Sequence, residues 1–172
     1  MSELARYVRD VPDFPSPGIL FKDITPLLAD ARAFGFAVEE MAKPLAGAAV
    51  DCIAGIEARG FIFGPAIAQS LGVGFVPIRK PGKLPADTTS VSYTLEYGAD
   101  TLEIQTDAVD SGARVGIVDD LLATGGTLAA AIDLMESLDV ETVGISVLIE
   151  LMALRGRDQL DGAPLHAVMQ VA

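Results

Sequence analysis

The chain is predicted to be an α/β protein, a mostly parallel sheet flanked by helices, and three observations support this. Short β-branched apolar runs alternate with stretches whose apolar residues recur at helical spacing. Two of those runs, at residues 51–56 and 115–118, lead at once into a polar turn and then a helix. Finally, 172 residues with 51% hydrophobic and 21% charged side chains suffice for one full core, so residues 1–172 are read as one domain.

Taken in order, residues 3–11 read as a short helix stopped by Pro12, Pro15 and Pro17. Next, PSPGILFKDITPLL forms an N-terminal arm in which Phe21 is an anchor, and Thr25-Pro26 reads as a helix N-cap with proline at the first helical position. Residues 30–45 repeat Phe34, Val38 and Met41 on one helical face, which is packing. A strand at 51–56 ends at Glu57-Ala58-Arg59-Gly60, and the helix after it closes at Gly72. A strand at 73–78 precedes the basic segment RKPGKLP. Val91, Tyr93 and Leu95, then Leu102 and Ile104, alternate on the arms of a β-hairpin around a turn at residues 97–100. Glycine, prolines and cations at its base suit a movable lid over residues 80–106. Residues 142–151 form a strand, RGRDQL a short helix and PLHAVMQVA a last strand.

The centre of the chain is RVGIVDDLLATGGTLAAAIDLMESL. Val115, Ile117 and Val118 form a buried strand, with Asp119 and Asp120 where it leaves the sheet. Ala123, Thr124, Gly125, Gly126 and Thr127 then turn into a helix whose face carries Leu128, Ile132, Met135 and Leu138. Backbone N–H groups of a glycine turn at a helix start cradle phosphate, and the threonines add hydroxyl donors. The paired carboxylates would repel phosphate but suit the two donors of a ribose diol. An ordinary βα turn with solvated aspartates is the plainer alternative. No lysine precedes the closing threonine, so this is not a Walker sequence.

The formal net charge of −12, with 12 Lys and Arg, disfavours nucleic acid and anionic membranes. Three of those cations, Arg79, Lys80 and Lys83, sit close together, which fits either a polyanionic ligand or a solvated basic loop. Arg59 at a helix start opposes the dipole unless an anion lies there. Cys52 is the only cysteine, no apolar run spans a bilayer, and MSELARYVRD lacks an apolar signal core, so a cytoplasmic location is expected. His166, the only histidine, has no nucleophile partner and reads as structural, and no His/Cys cluster suggests zinc.

VDDLLATGGT resembles the ribose-5-phosphate signature of the type I phosphoribosyltransferases. FPSPGILFKDITPL, EARGF, RKPGKLP and LEYG resemble further segments of the members that act on adenine, in the same order along nearly the whole chain. The resemblance implies the type I phosphoribosyltransferase fold with a hairpin hood and N-terminal arm, and purine salvage by Mg²⁺-dependent transfer of phosphoribose from phosphoribosyl pyrophosphate to adenine, giving AMP and pyrophosphate. It implies that Asp119, Asp120, Ala123, Thr124, Gly125, Gly126 and Thr127 bind phosphoribose, and that Arg59, Lys80, Lys83 and Tyr97 bind pyrophosphate. Leu20, Phe21, Lys22 and Leu151 would border adenine, and Glu96 would be the catalytic acid/base. Read alone, Glu96 is better taken as a solvated turn residue. Mg²⁺ would be held mainly by substrate oxygens and water, and the chain would form a homodimer. A non-proline cis peptide is implied near Glu57-Ala58. Ala123 stands where enzymes for 6-oxopurines place an aspartate, which favours adenine. Two alternatives stay open: transfer to another base, and a non-catalytic sensor of phosphoribosyl pyrophosphate.

Overall fold

The computed structural model describes residues 3–95 and 98–172. A short 3-10 helix at Glu3–Tyr7 is followed by β1 (Arg9–Pro12), β2 (Leu20–Asp23), α1 (Thr25–Ala29), α2 (Ala31–Gly47), β3 (Cys52–Ile56), α3 (Gly60–Leu71) and β4 (Gly74–Ile78). The chain continues with β5 (Thr88–Leu95), β6 (Gly98–Gln105), β7 (Arg114–Leu122), α4 (Gly126–Ser137), β8 (Glu141–Leu151) and β9 (Leu165–Val171). Five strands form a parallel sheet in the order β4-β3-β7-β8-β9. The expected α/β fold, with its arm and hairpin, is present.

Alternation along the central strands divides the core between the two faces of the sheet. Ile53, Val118 and Leu148 pack with Ala37, Met41 and Leu45 of α2 and Phe63 and Ile67 of α3. Ala54, Ile56, Val115, Ile117, Ile145 and Val147 face the other way, onto Leu128, Ala131, Leu134 and Met135 of α4 and onto Leu102 and Ile104 of β6. The hairpin therefore shares a core with α4. Ser146, fully buried on β8, is satisfied by donating to the Met41 carbonyl at 2.8 Å. Cys52 is buried at the start of β3, and burial together with the nearby Asp51 charge pushes its thiol pKa up.

Three local expectations are corrected. Residues 9–12 pair antiparallel with β2 instead of continuing a helix, and Arg9 donates to Asp23 at 3.0 Å across that ribbon. Thr25 is already helical, while the Asp23 carboxylate accepts from the Thr25 amide at 2.8 Å. In the hairpin, Leu95 pairs with Gly98 and Tyr93 with Asp100, so residues 98–100 belong to a strand and not to the turn. Residues 96 and 97 are outside the described residues.

Helix α3 begins so close to β7 that a Cβ on Gly60 would stand 2.7 Å from the Val118 carbonyl oxygen. It ends where Gly72 takes the left-handed conformation at φ 72°. At the opposite edge of the sheet, Leu45 of α2 fills the space over Gly116 and Gly144, which leave room for it. Leu45→Ala is expected to lower the unfolding free energy by about 2–5 kcal/mol, measured by urea denaturation; a loss far below that would mean the site collapses around the smaller side chain.

Candidate active site

The turns that follow β3, β4, β7 and β8 meet at the carboxyl edge of the sheet, where ligands of open α/β folds bind. Two cavities lie there side by side. The first is polar and lined by Glu57, Ala58, Arg59, Lys80, Tyr93, Asp100, Asp119, Asp120 and the turn containing Ala123, Thr124, Gly125 and Thr127. The second is largely apolar and lined by Gly18, Ile19, Leu20, Phe21, Lys22, Leu151 and Leu154. Arg59, Leu121, Ala123 and Thr124 border both.

The acidic pair lies within β7, not beyond it, since that strand runs on to Leu122. Asp119 Oδ1 accepts from the Asp120 amide at 2.8 Å. Arg59 Nη1 approaches Asp120 Oδ2 to 2.9 Å, outside hydrogen-bonding alignment, so that oxygen is ion-paired but has no hydrogen-bond partner. Desolvation, helped by the Asp120 charge, pushes the Asp119 carboxyl well above the ordinary carboxylate range. Desolvation raises Asp120 as well, against the pull of Arg59. Donors from a diol would offset this desolvation and favour the charged form of the pair.

Arg59 also lies over the Phe21 ring, 5.2 Å from its centroid, and so joins the arm to the acidic pair. Phe14 packs edge-on against Phe21 with centroids 5.1 Å apart. Lys22 is buried and turned towards Asp10, 2.6 Å away, which commits its ammonium to the arm. The peptide between Glu57 and Ala58 is cis.

The basic segment is organised by Glu57. Its carboxylate accepts from Arg79 Nε and the Lys80 amide, each at 3.1 Å, and from the Lys83 ammonium. Lys83 thus reaches Glu57 and does not line the polar cavity, whereas Lys80 does. Lys80 contacts Asp100 and donates to the Tyr93 hydroxyl at 3.3 Å, and Thr127 Oγ1 donates to the same hydroxyl at 3.2 Å. Desolvation of Lys80 is outweighed by Asp100 and Tyr93, which raise its pKa and keep it cationic. Tyr93 thereby ties the hairpin to both the basic segment and the glycine turn.

In that turn, Gly125 is the residue before α4 and takes φ 94° with no side-chain cap on the helix. Gly126 does not border either cavity. Glu96 and Tyr97 fall outside the described residues. Among the described residues no group of three or more His, Cys, Asp or Glu could hold a metal ion, and no helix is long and apolar enough to cross a membrane. His166 lies on β9 opposite Ser146, away from both cavities. Sequence reasoning missed Glu57, Tyr93, Asp100, Leu121 and Leu154. Tyr93 carried a periodicity signal, through its alternation with Val91 on the hairpin, and Glu57 and Leu121 stood inside EARGF and VDDLLATGGT without a role being assigned to them.

Residues 27–161 match the phosphoribosyl transferase domain. The chain is 55% identical to the adenine phosphoribosyltransferase of Thermobifida fusca over 166 residues, 96% of this chain and 94% of that one. The crystal structure of adenine phosphoribosyltransferase from Thermoanaerobacter pseudethanolicus matches with a TM-score of 0.96 at 55% identity, covering 98% of each chain. That of the Saccharomyces cerevisiae enzyme, complexed with D-2,5-dideoxy-2,5-imino-altritol 1,6-bisphosphate and adenine, matches with a TM-score of 0.93 at 42% identity, covering 97% of each. The chain belongs to the phosphoribosyltransferase family, enzymes that transfer a pentosyl group. Within that family, the relatives it resembles over nearly its whole length are adenine phosphoribosyltransferases.

The Glu57 contacts have a pH signature. Desolvation alone would raise its pKa, but the bonds from Lys83, Lys80 and Arg79 overcome it and lower the value from 4.5 to about 2. A depressed folded pKa gives stability that is complete above the unfolded value and disappears as pH falls through the folded one. The stability difference between the wild type and Glu57→Gln should be constant above pH about 4.5 and shrink between there and pH about 2. Urea titrations across that range check this; a pH-independent difference would contradict the charge-based account.

Proposed function

We propose that the protein transfers the 5-phosphoribosyl group of phosphoribosyl pyrophosphate to adenine, giving AMP and pyrophosphate, as a purine salvage enzyme. The adjoining of the two cavities across Arg59, Leu121, Ala123 and Thr124 carries this reading. A polar cavity with a helix-start glycine turn and an acidic pair suits a sugar phosphate, and the apolar one suits a planar base. Their common border is where ribose C1 and the base nitrogen would meet.

In this reading Thr124, Gly125, Gly126 and Thr127 hold the 5′-phosphate, with Ala123 leaving space beside the base. Asp119 and Asp120 hold the ribose diol, and their charge stabilises the cationic character that develops as the bond from C1 to pyrophosphate breaks. Lys80 is placed in the polar cavity to meet the leaving group, and Arg59, Lys83 and Tyr97 belong to the same proposed set. Leu20, Phe21 and Leu151 sandwich adenine, with Lys22 fixing the arm through Asp10. As the bond from C1 to the adenine nitrogen forms, Glu96 takes the proton that the nitrogen loses.

The donors present fit Mg²⁺ only as an ion carried in by the substrate, because the one orphaned buried carboxylate oxygen among the described residues, on Asp120, faces Arg59. When bound, the ion neutralises charge on the pyrophosphate. The proposal includes a homodimer and a cytoplasmic location.

Pyrophosphate release from phosphoribosyl pyrophosphate and Mg²⁺ is expected with adenine and not with hypoxanthine, guanine or orotate. Release with another base would overturn the base assignment, and tight binding of phosphoribosyl pyrophosphate without release would favour a sensor. Glu96→Gln should reduce kcat by about 10²–10⁴-fold with little change in KM; near-normal turnover would remove Glu96 from this role. Ala123→Asp should not improve the use of adenine, and a gain would contradict the position given to Ala123.

A further inference from the structure

Behind the glycine turn is a segment that lines neither the phosphate nor the pyrophosphate region. Glu150, near the end of β8, is only 3% exposed, yet both its oxygens are bonded. Arg157 donates Nε to Oε1 at 2.6 Å and Nη2 to Oε2 at 2.8 Å, and Gln170 Nε2 donates to Oε2 at 3.0 Å. Arg157 Nη1 also reaches the Leu165 carbonyl at 3.0 Å. The three bonds from Arg157 tie the short 3-10 helix Gly156–Gln159 to β8 and β9, and the one from Gln170 braces Glu150 from β9. A bidentate pair on a buried carboxylate fixes orientation as well as position, even though the arginine is partly exposed.

Gly156, next to that arginine, abuts the glycine turn. A Cβ on Gly156 would stand 2.3 Å from the Ala123 carbonyl oxygen and 2.7 Å from Leu122 Cδ1. In the other direction, a Cβ on Gly125 would stand 2.3 Å from the Gly156 carbonyl oxygen. The two backbones touch with no room for one more carbon. The turn has no side-chain cap of its own, so its left-handed geometry at Gly125 is held from behind.

We propose that Arg157 is a positioning residue for the 5′-phosphate turn and acts through Gly156. This rests on the polar cavity being the phosphoribosyl site. The Glu150–Arg157 pair sets the height of Gly156, and Gly156 sets the carbonyl of Ala123 and the φ of Gly125. The amides of the turn are thereby aimed before any ligand arrives. Misplacement by a fraction of an ångström would spoil several N–H bonds to phosphate together.

The test is calorimetric titration of folded wild type, Gly156→Ala, Arg157→Lys and Leu45→Ala with ribose 5-phosphate, alongside thermal midpoints. Gly156→Ala should weaken Kd by about tenfold or more. Arg157→Lys, which keeps the charge but loses the fork, should weaken it by about threefold. Leu45→Ala, at the far edge of the sheet, should lower the midpoint and leave Kd within about twofold. If wild type does not bind ribose 5-phosphate, the phosphoribosyl reading of the cavity fails, and the inference with it. If wild type binds and both site variants bind equally well, the inference alone is overturned. Equal weakening by Leu45→Ala would also overturn it, since the loss would then follow stability.

Discussion

Two neighbouring carboxylates at the desolvated end of β7 are the constraint around which this edge of the molecule is arranged. Desolvation makes both Asp119 and Asp120 resist ionisation, and the Asp120 charge adds to it at Asp119. A cation has to stand close, and Arg59 at the start of α3 supplies it at 2.9 Å. That requirement brings α3 against β7, which is possible because Gly60 has no side chain to strike the Val118 carbonyl. The guanidinium then has a free face, and Phe21 of the N-terminal ribbon covers it. One electrostatic problem thus connects the second strand–turn–helix unit to the arm.

A second set of charges repeats the pattern at the end of β4. Lys83 and Arg79 are held by Glu57, and Lys80 by Asp100 with Tyr93 beside it. For a protein with net charge −12, such pairing keeps the few cations of this region together, with Lys80 facing the polar cavity. The cost of desolvating them is offset by carboxylates from two places, Glu57 in the turn after β3 and Asp100 on β6. A dianionic leaving group would find positive charge already assembled, and would compete with Glu57 and Asp100 for it.

The sheet and helices were legible because their signals are local. Val115, Ile117 and Val118 alternate or run together as a buried strand must, and Phe34, Val38 and Met41 repeat at helical spacing. The glycine turn could be read for the same reason, since its glycine and threonine identities determine its backbone. What escaped was set by partners far along the chain. Residues 9–12 became a strand because β2 was there to pair with, and residues 98–100 because β5 was. Glu57 looked like one acid in a turn until Arg79 and Lys83 folded onto it. Gly156 gave no signal at all, because its importance lies in the carbonyl of Ala123, which any residue possesses.

Cys52 has a use that follows from its place at the start of β3. Its thiol is buried in the core that the sheet shares with α4 and its pKa is raised, so little thiolate is present and little of it meets solvent. The folded chain consequently offers thiol-directed reagents little to attack at this position. Since it is the chain's sole cysteine, the rate of thiol labelling reports how readily the start of β3 opens to solvent. The molecule carries a built-in clock for its own opening, readable without adding a probe.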